Sequence, residues 1–369
     1  MRDPRRILWI AVAATVAISG CNGASGANDV ASTTTLAQSN PDTTTTTAAP
    51  EGSLESIVAA HIGEGRGAAI VGVFESGSSM MAAAGADADG IEMTPERPWP
   101  TASLAKVFTA TAIMQLADMG ELELDNSVSD YVEFPISDEI TVRNLLQHRS
   151  GIPTVPSFTI RCPGDGSFAA IERVVEETEP APGQDTSYSN TNYLVLGRLI
   201  ESTTGMDAGD WISESIFEPL EMDSTYWFES QSGPNPWWPR KVETQGAGLN
   251  DCGELGRTFG TDGAAITNTE DMDRFYRGLL SGELISEHSL SEVLTMESEL
   301  FGFRYGLGIL EMTNEAWPDD VLYGFGGSTM TYSTAAFHDP TKNRTVAVFT
   351  TRGDQETLLW EVIAWANSR

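Results

Sequence analysis

Residues Thr101 to Gly120 constrain this chain more than any other stretch. Thr101-Ala-Ser-Leu-Ala-Lys-Val-Phe-Thr-Ala-Thr-Ala-Ile-Met-Gln-Leu-Ala-Asp-Met-Gly120 is dominated by good helix formers. Thr101 is placed to cap the helix, and Gly120 to end it in a left-handed turn. Apolar residues fall on nearly every face, which predicts a buried helix. Lys106 is the one charged side chain between Arg97 and Asp118. It follows Ser103 at a spacing that shares a helix face, so a hydroxyl and an amine meet near a helix N-terminus. Burial disfavours an ammonium, and a neutral amine can activate a serine without histidine. The bland alternative is a lysine that snorkels to solvent. Ser-x-x-Lys alone is a weak signal.

The rest of the chain sets the context. Arg2, Arg5 and Arg6 precede an apolar run, Ile7 to Ile18, that is too short for a stable membrane span. With Ile18-Ser-Gly-Cys21 after it, the leader reads as a secretory signal. It also resembles a bacterial lipoprotein signal, which implies acylation of Cys21 and membrane attachment through lipid. An ordinary signal with an incidental Cys21 is the alternative. We therefore expect a signal at 1–20, a Thr/Ser/Ala-rich tether at 21–50 and one folded domain at 51–369. No internal repeat is visible.

With Cys21 acylated, Cys162 and Cys252 remain, and in an exported protein two cysteines suggest one disulfide. Two buried free thiols are the other possibility. Four widely separated histidines argue against zinc, so neither a metal nor a cofactor is expected. The formal charge of −32, from 53 acidic and 21 basic residues, repels nucleic acid.

Periodicity places strands at both ends and helices between. Ser53 to Ile62 reads as a helix, Gly67 to Phe74 as a strand, and Met80 to Gly85 as its hairpin partner. Thr141 to His148 is a capped turn of helix. Asn192 to Thr203, Trp211 to Phe217, Leu290 to Leu300 and Glu356 to Ala366 are further helices. Thr267 and Glu270 suggest a capping box for a helix running to Leu280. Thr225 to Asn250, with Trp227, Trp237 and Trp238, reads as an ordered loop, either a cleft wall or covered core. Arg304 to Glu311, Ser328 to Ala336 and Arg344 to Thr350 are strand candidates. The expected class is α/β (α+β), with a mixed or antiparallel sheet of about five strands drawn from both chain ends and flanked by helices. A largely helical lobe is inserted at about 120–300.

In this order the motifs resemble the serine β-lactamase and penicillin-binding-protein superfamily, nearest its class C β-lactamases, D-alanyl-D-alanine carboxypeptidases and esterases. Ser103-Leu-Ala-Lys106 is followed by Tyr188-Ser-Asn190, as the family's Ser-x-x-Lys is by Tyr-x-Asn. Asn144-Leu-Leu-Gln-His-Arg-Ser-Gly151, Pro182-Gly183, Tyr193-Leu-Val-Leu-Gly197 and Gly263 to Asp271 are similar as well. The resemblance implies catalytic roles for Ser103, Lys106, Tyr188 and Asn190. Ser103 would be the nucleophile, and Lys106 and Tyr188 would share base and acid work. Asn190 would hold Lys106 and a substrate amide. Backbone N–H groups of Ser103 and Ser328 would form the oxyanion hole. Phe325, Gly326 and Gly327 would form the substrate strand, with Phe325 where the family has a polar residue. That departure weakens recognition of a substrate carboxylate.

The resemblance thus implies a monomeric serine acyl hydrolase, exported and lipid-anchored at the outer face of a bacterial cell membrane. Its substrates would be peptidoglycan stem peptides or β-lactams. An esterase on carboxylate-free esters, and a catalytically weak binding or sensor protein, are the alternatives.

Overall fold

The structure, a computed structural model, describes residues 52–63, 67–87, 90–133, 135–154, 172, 175–176, 182–227, 260–329, 332–351 and 354–369. Its frame is an eight-stranded sheet, and every strand pair in it is antiparallel. The middle of the sheet comes from both chain ends. β1 (Ala68–Glu75) pairs with β2 (Ser78–Gly85) on one side and with β11 (Arg344–Thr350) on the other. β10 (Ser333–Asp339) and β9 (Trp317–Ser328) follow in space. The sheet thus has eight strands where about five were expected, and β1, β2 and β11 fall where the sequence placed strands. β8 (Leu310–Asn314), β7 (Phe303–Tyr305) and β6 (Ser298–Leu300) extend the same edge. All seven residues of β10 and of β11 are buried, as befits strands covered on both faces.

α1 (Leu54–Ile62), capped by Ser53, and α8 (Gln355–Asn367) cover one face. On the other face lies α6 (Thr269–Ser281), and the short turn that leads into α2 (Lys106–Asp118) packs on β9 and β10. The lobe beside α2 contains α3 (Val142–Leu146), α4 (Asn190–Thr204) and α5 (Ala208–Ile212), which runs into a π-turn over Ser213–Phe217. α7 (Glu287–Val293) also reaches α2. A second sheet of three short strands, β3 (Trp99–Pro100), β5 (Ala265–Thr267) and β4 (Tyr226–Trp227), lies between sheet and lobe. α2 is buried from Lys106 through Leu116, as its all-round apolar character demands. Gly120, at φ +73°, supplies the left-handed stop.

Several expectations need correction. Leu290 to Leu300 is not one helix: α7 stops at Val293, and Ser298–Leu300 is strand. Arg304 to Glu311 is split, because Gly308 at φ +83° turns the chain between β7 and β8. The candidate at Ser328 to Ala336 straddles the β9–β10 turn. The cap of α6 is Asn268, whose side chain accepts the Asp271 N–H at 2.8 Å, because Thr267 is committed to β5 opposite Trp99. Trp227 is buried in β4, while Trp237 and Trp238 lie outside the described residues. α6 belongs to the sheet rather than to the helical lobe.

Phe108 of α2 joins lobe to sheet. Its ring meets Phe217 edge-on at 5.0 Å and Phe275 of α6 at 4.7 Å. We expect Phe108→Ala to cost about 3–5 kcal/mol. Denaturant melts should show one lowered midpoint, since both layers share that ring. Two separated transitions would show two independent cores.

Candidate active site

Ser103 lies in a 3-10 turn, Ala102–Ala105, that leads into α2. Ala102 before it is buried and has φ +48°. A left-handed alanine costs about 1–3 kcal/mol and persists only where its surroundings enforce it. Thr101 supplies that restraint. Its N–H and Oγ1 both donate to the Ala265 carbonyl, at 3.0 and 2.7 Å, and its own carbonyl accepts Thr334 Oγ1 at 2.7 Å. The turn is thereby tied to β5 and to β10. Thr101 does not cap the helix: its hydroxyl is spent on β5 and its backbone is already helical.

Lys106 is wholly buried. Its Nζ donates to Ser103 Oγ at 3.2 Å and to the Asp262 carbonyl at 2.7 Å. The rings of Tyr188 and Tyr193 flank it at 5.1 and 5.4 Å. A polar amine removed from water needs such partners. The residue before Asp262 is held from two sides. Thr109 Oγ1 donates to the Thr261 carbonyl at 2.6 Å, and Thr261 Oγ1 donates to the Tyr193 carbonyl at 2.7 Å.

Tyr188 enters from the segment before α4, and its O–H donates to Ser103 Oγ at 2.7 Å. Both side chains are half-buried, so a ligand can reach them. Asn190 is the first residue of α4. Its N–H donates to Thr154 Oγ1 at 3.2 Å, and its Oδ1 is buried without a protein partner. Among the described residues no hydrogen bond joins Asn190 to Lys106, whose Nζ donates to Ser103 and to the Asp262 carbonyl.

β9 forms the opposite wall. A Cβ on Gly327 would lie 2.8 Å from Ser103 N and closer still to the Thr101 carbonyl. The strand approaches the Ser103 turn only because this residue has no side chain. Ser328, exposed, ends the strand one residue later, and Gly326 precedes the contact. Phe325, on the same face of β9 as Gly327, is buried 6.1 Å from Tyr305. Phe301, at φ +57° in the β6–β7 turn, lies 5.2 Å from Tyr188. This side of the cleft is therefore aromatic. Tyr193 and Tyr305 share a hydrogen bond at 3.0 Å. Burial pushes both phenols up.

The predicted Ser103, Lys106 and Tyr188 thus converge on one oxygen, with Asn190 and the glycines of β9 around them. The site can draw a proton from Ser103 and admit an acyl group. The Asp262 carbonyl, His148, Tyr193, Tyr305 and Phe301 were not singled out from sequence. A backbone acceptor leaves no residue-type signal. His148 and Tyr193 did lie within the segments whose order carried the resemblance. Cys21, Cys162 and Cys252 lie outside the described residues, and among those described no group of three acidic, His or Cys side chains could hold a metal.

Comparison with known proteins bears on the family and the fold. The family model described as Beta-lactamase matches residues 54–363. Penicillin-binding protein 4 of Amycolatopsis lactamdurans is 30% identical over 210 residues, 51% of this chain and 52% of that protein. The chain spans about half the length of the curated relatives it matches. Among solved structures, a D-stereospecific amidohydrolase from Streptomyces sp. superposes with a TM-score of 0.69 at 26% identity, covering 83% of this chain and 96% of its own. A D-amino acid amidase from Ochrobactrum anthropi shares the fold with a TM-score of 0.73 at 23% identity, covering 86% and 98%.

Gly327→Ala tests the contact between β9 and Ser103. The added methyl forces the strand away from the Ser103 turn, and a shift on this scale should slow fluorophosphonate modification of Ser103 by about 100-fold. Circular dichroism should stay unchanged. Wild-type reactivity would show that the close approach is irrelevant to Ser103.

Proposed function

The chain belongs to the Beta-lactamase family, and from that premise we propose that it is a serine acyl hydrolase that works through an acyl-enzyme on Ser103. The observation that carries this reading is the hydroxyl of Ser103, 2.7 Å from Tyr188 OH and 3.2 Å from Lys106 Nζ. Ser103 Oγ attacks the acyl carbonyl as its proton passes to the Lys106–Tyr188 pair, which for this step holds one proton fewer than an ammonium with a phenol, so that a neutral amine or a phenolate accepts it. A phenol is a weak base alone, but an adjacent ammonium stabilises its phenolate. The backbone N–H groups of Ser103 and Ser328 receive the developing oxyanion. The pair then returns the proton to the leaving nitrogen or oxygen. Water, deprotonated by the same pair, releases the acid and restores Ser103. Asn190 orients the substrate amide through its unpartnered Oδ1.

The substrate class proposed first is an amide or lactam beside a D-configured residue, as in peptidoglycan stem peptides and β-lactams. The names of the penicillin-binding and D-specific relatives support it. Phe325 favours a second reading, a carboxylate-free ester, because an apolar ring stands where a cation or imidazole would meet a carboxylate. We further propose export of the monomer, cleavage of 1–20 and lipid attachment of Cys21 at the outer face of the cell membrane, with 21–50 as the tether. Cys162 and Cys252 would be bridged in that oxidising setting.

Turnover of a penicillin, an acyl-D-Ala-D-Ala peptide, a D-amino acid amide and a neutral ester tests the reading. Ser103→Ala should lower the best of these roughly a thousandfold or more without altering the fold. Equal turnover in Ser103→Ala discards the nucleophile. Ester turnover alone selects the second substrate class. No turnover of any of them by a folded wild type selects a binding protein.

A further inference from the structure

His148 follows α3 and is fully buried at φ +55°. Its ring centroid lies 4.6 Å from Tyr188, 5.1 Å from Tyr193 and 5.7 Å from Tyr305. Two bonds link it to the residues on either side of Tyr188. The His148 carbonyl accepts the Ser187 N–H at 2.8 Å, and its Nδ1 accepts the Ser189 N–H at 3.2 Å. The first bond uses backbone and any residue could supply it. The second needs a side-chain acceptor at that place. A lone pair on Nδ1 puts the proton of the neutral ring on Nε2, which is buried without a protein partner.

We propose that His148 is a positioning residue for Tyr188: a neutral imidazole that clasps the backbone after Tyr188, packs against its ring and so fixes the phenol on Ser103. This rests on the reading of Ser103 and Tyr188 given above. The electrostatics agree. The ionisable groups around the ring are Lys106, Tyr188, Tyr193 and Tyr305. Burial first, and Lys106 second, hold the imidazole well below its ordinary value. Protonation would remove the Nδ1 acceptor and set a second cation beside Lys106. With its folded pKa depressed, His148 contributes stability that is present above the ordinary imidazole value, about 6.5, and is lost as the pH falls below it.

The test is the rate constant for fluorophosphonate labelling of Ser103 by the full protein, followed across pH by intact mass. His148→Asn keeps an oxygen near Nδ1 and suits a left-handed backbone, whereas His148→Phe keeps a ring without an acceptor. We expect His148→Asn to stay within about 3-fold of wild type and His148→Phe to lose about 10-fold or more. In a Tyr188→Phe background the same His148→Phe step should have little further effect, since the group it positions is gone. Unchanged labelling and pH profile in His148→Phe would overturn the proposal. So would an equal loss in both backgrounds, which marks a merely structural role. A wild type that never labels at Ser103 would instead sink the hydrolase reading, and the positioning role with it. Should His148→Phe fail to fold, nitrogen NMR of the wild type decides. We expect the Nε2–H tautomer at about pH 6, and an imidazolium signature there would overturn the proposal.

Discussion

Lys106 is a fully buried amine, and much of the structure is arranged to satisfy it. An unpaired ammonium in such a place would be strongly destabilising. Its Nζ is met by the Asp262 carbonyl and by Ser103 Oγ, with the Tyr188 and Tyr193 rings alongside. Each partner comes from a different part of the chain. Asp262 precedes β5, Ser103 precedes α2, and Tyr188 and Tyr193 flank the start of α4. The lysine therefore gathers second sheet, central helix and helical lobe around one atom. Removing any of these elements would leave the buried amine short of partners.

The main sheet contributes by supplying a rigid edge. β9 can lie against the Ser103 turn because Gly327 has no side chain and because Thr101 is bonded to both β5 and β10. The strain at Ala102 is the local consequence. A serine on an ordinary helix start would lack the neighbouring strand. Here Ser103 faces the Lys106–Tyr188 pair on one side and a strand end on the other.

What the sequence made legible follows from how strong each local signal is. α2 was readable because its apolar residues run all round the helix. β1 and β11 were readable because buried antiparallel strands show as continuous apolar runs. β9 was visible only through its resemblance to a family motif, since Trp317–Ser328 contains Pro318, two aspartates and three glycines. Its pairing with β8 and β10 overrides that composition. Gly308 hid the break between β7 and β8, and Asn268 took the cap from Thr267 because tertiary pairing claimed the threonine. At the site, Ser103, Lys106 and Tyr188 were legible as residue types at a spacing. The Asp262 carbonyl was not, because every residue has one.

The most direct measurement is a crystal structure of the protein after reaction with a fluorophosphonate. An acyl-transfer site at Ser103 predicts phosphorus bonded to Ser103 Oγ, with a phosphonyl oxygen about 3 Å from the N–H groups of Ser103 and Ser328. Tyr188 OH and Lys106 Nζ should remain on the modified oxygen. Phosphorus on another side chain, or a phosphonyl oxygen turned away from both N–H groups, would contradict it.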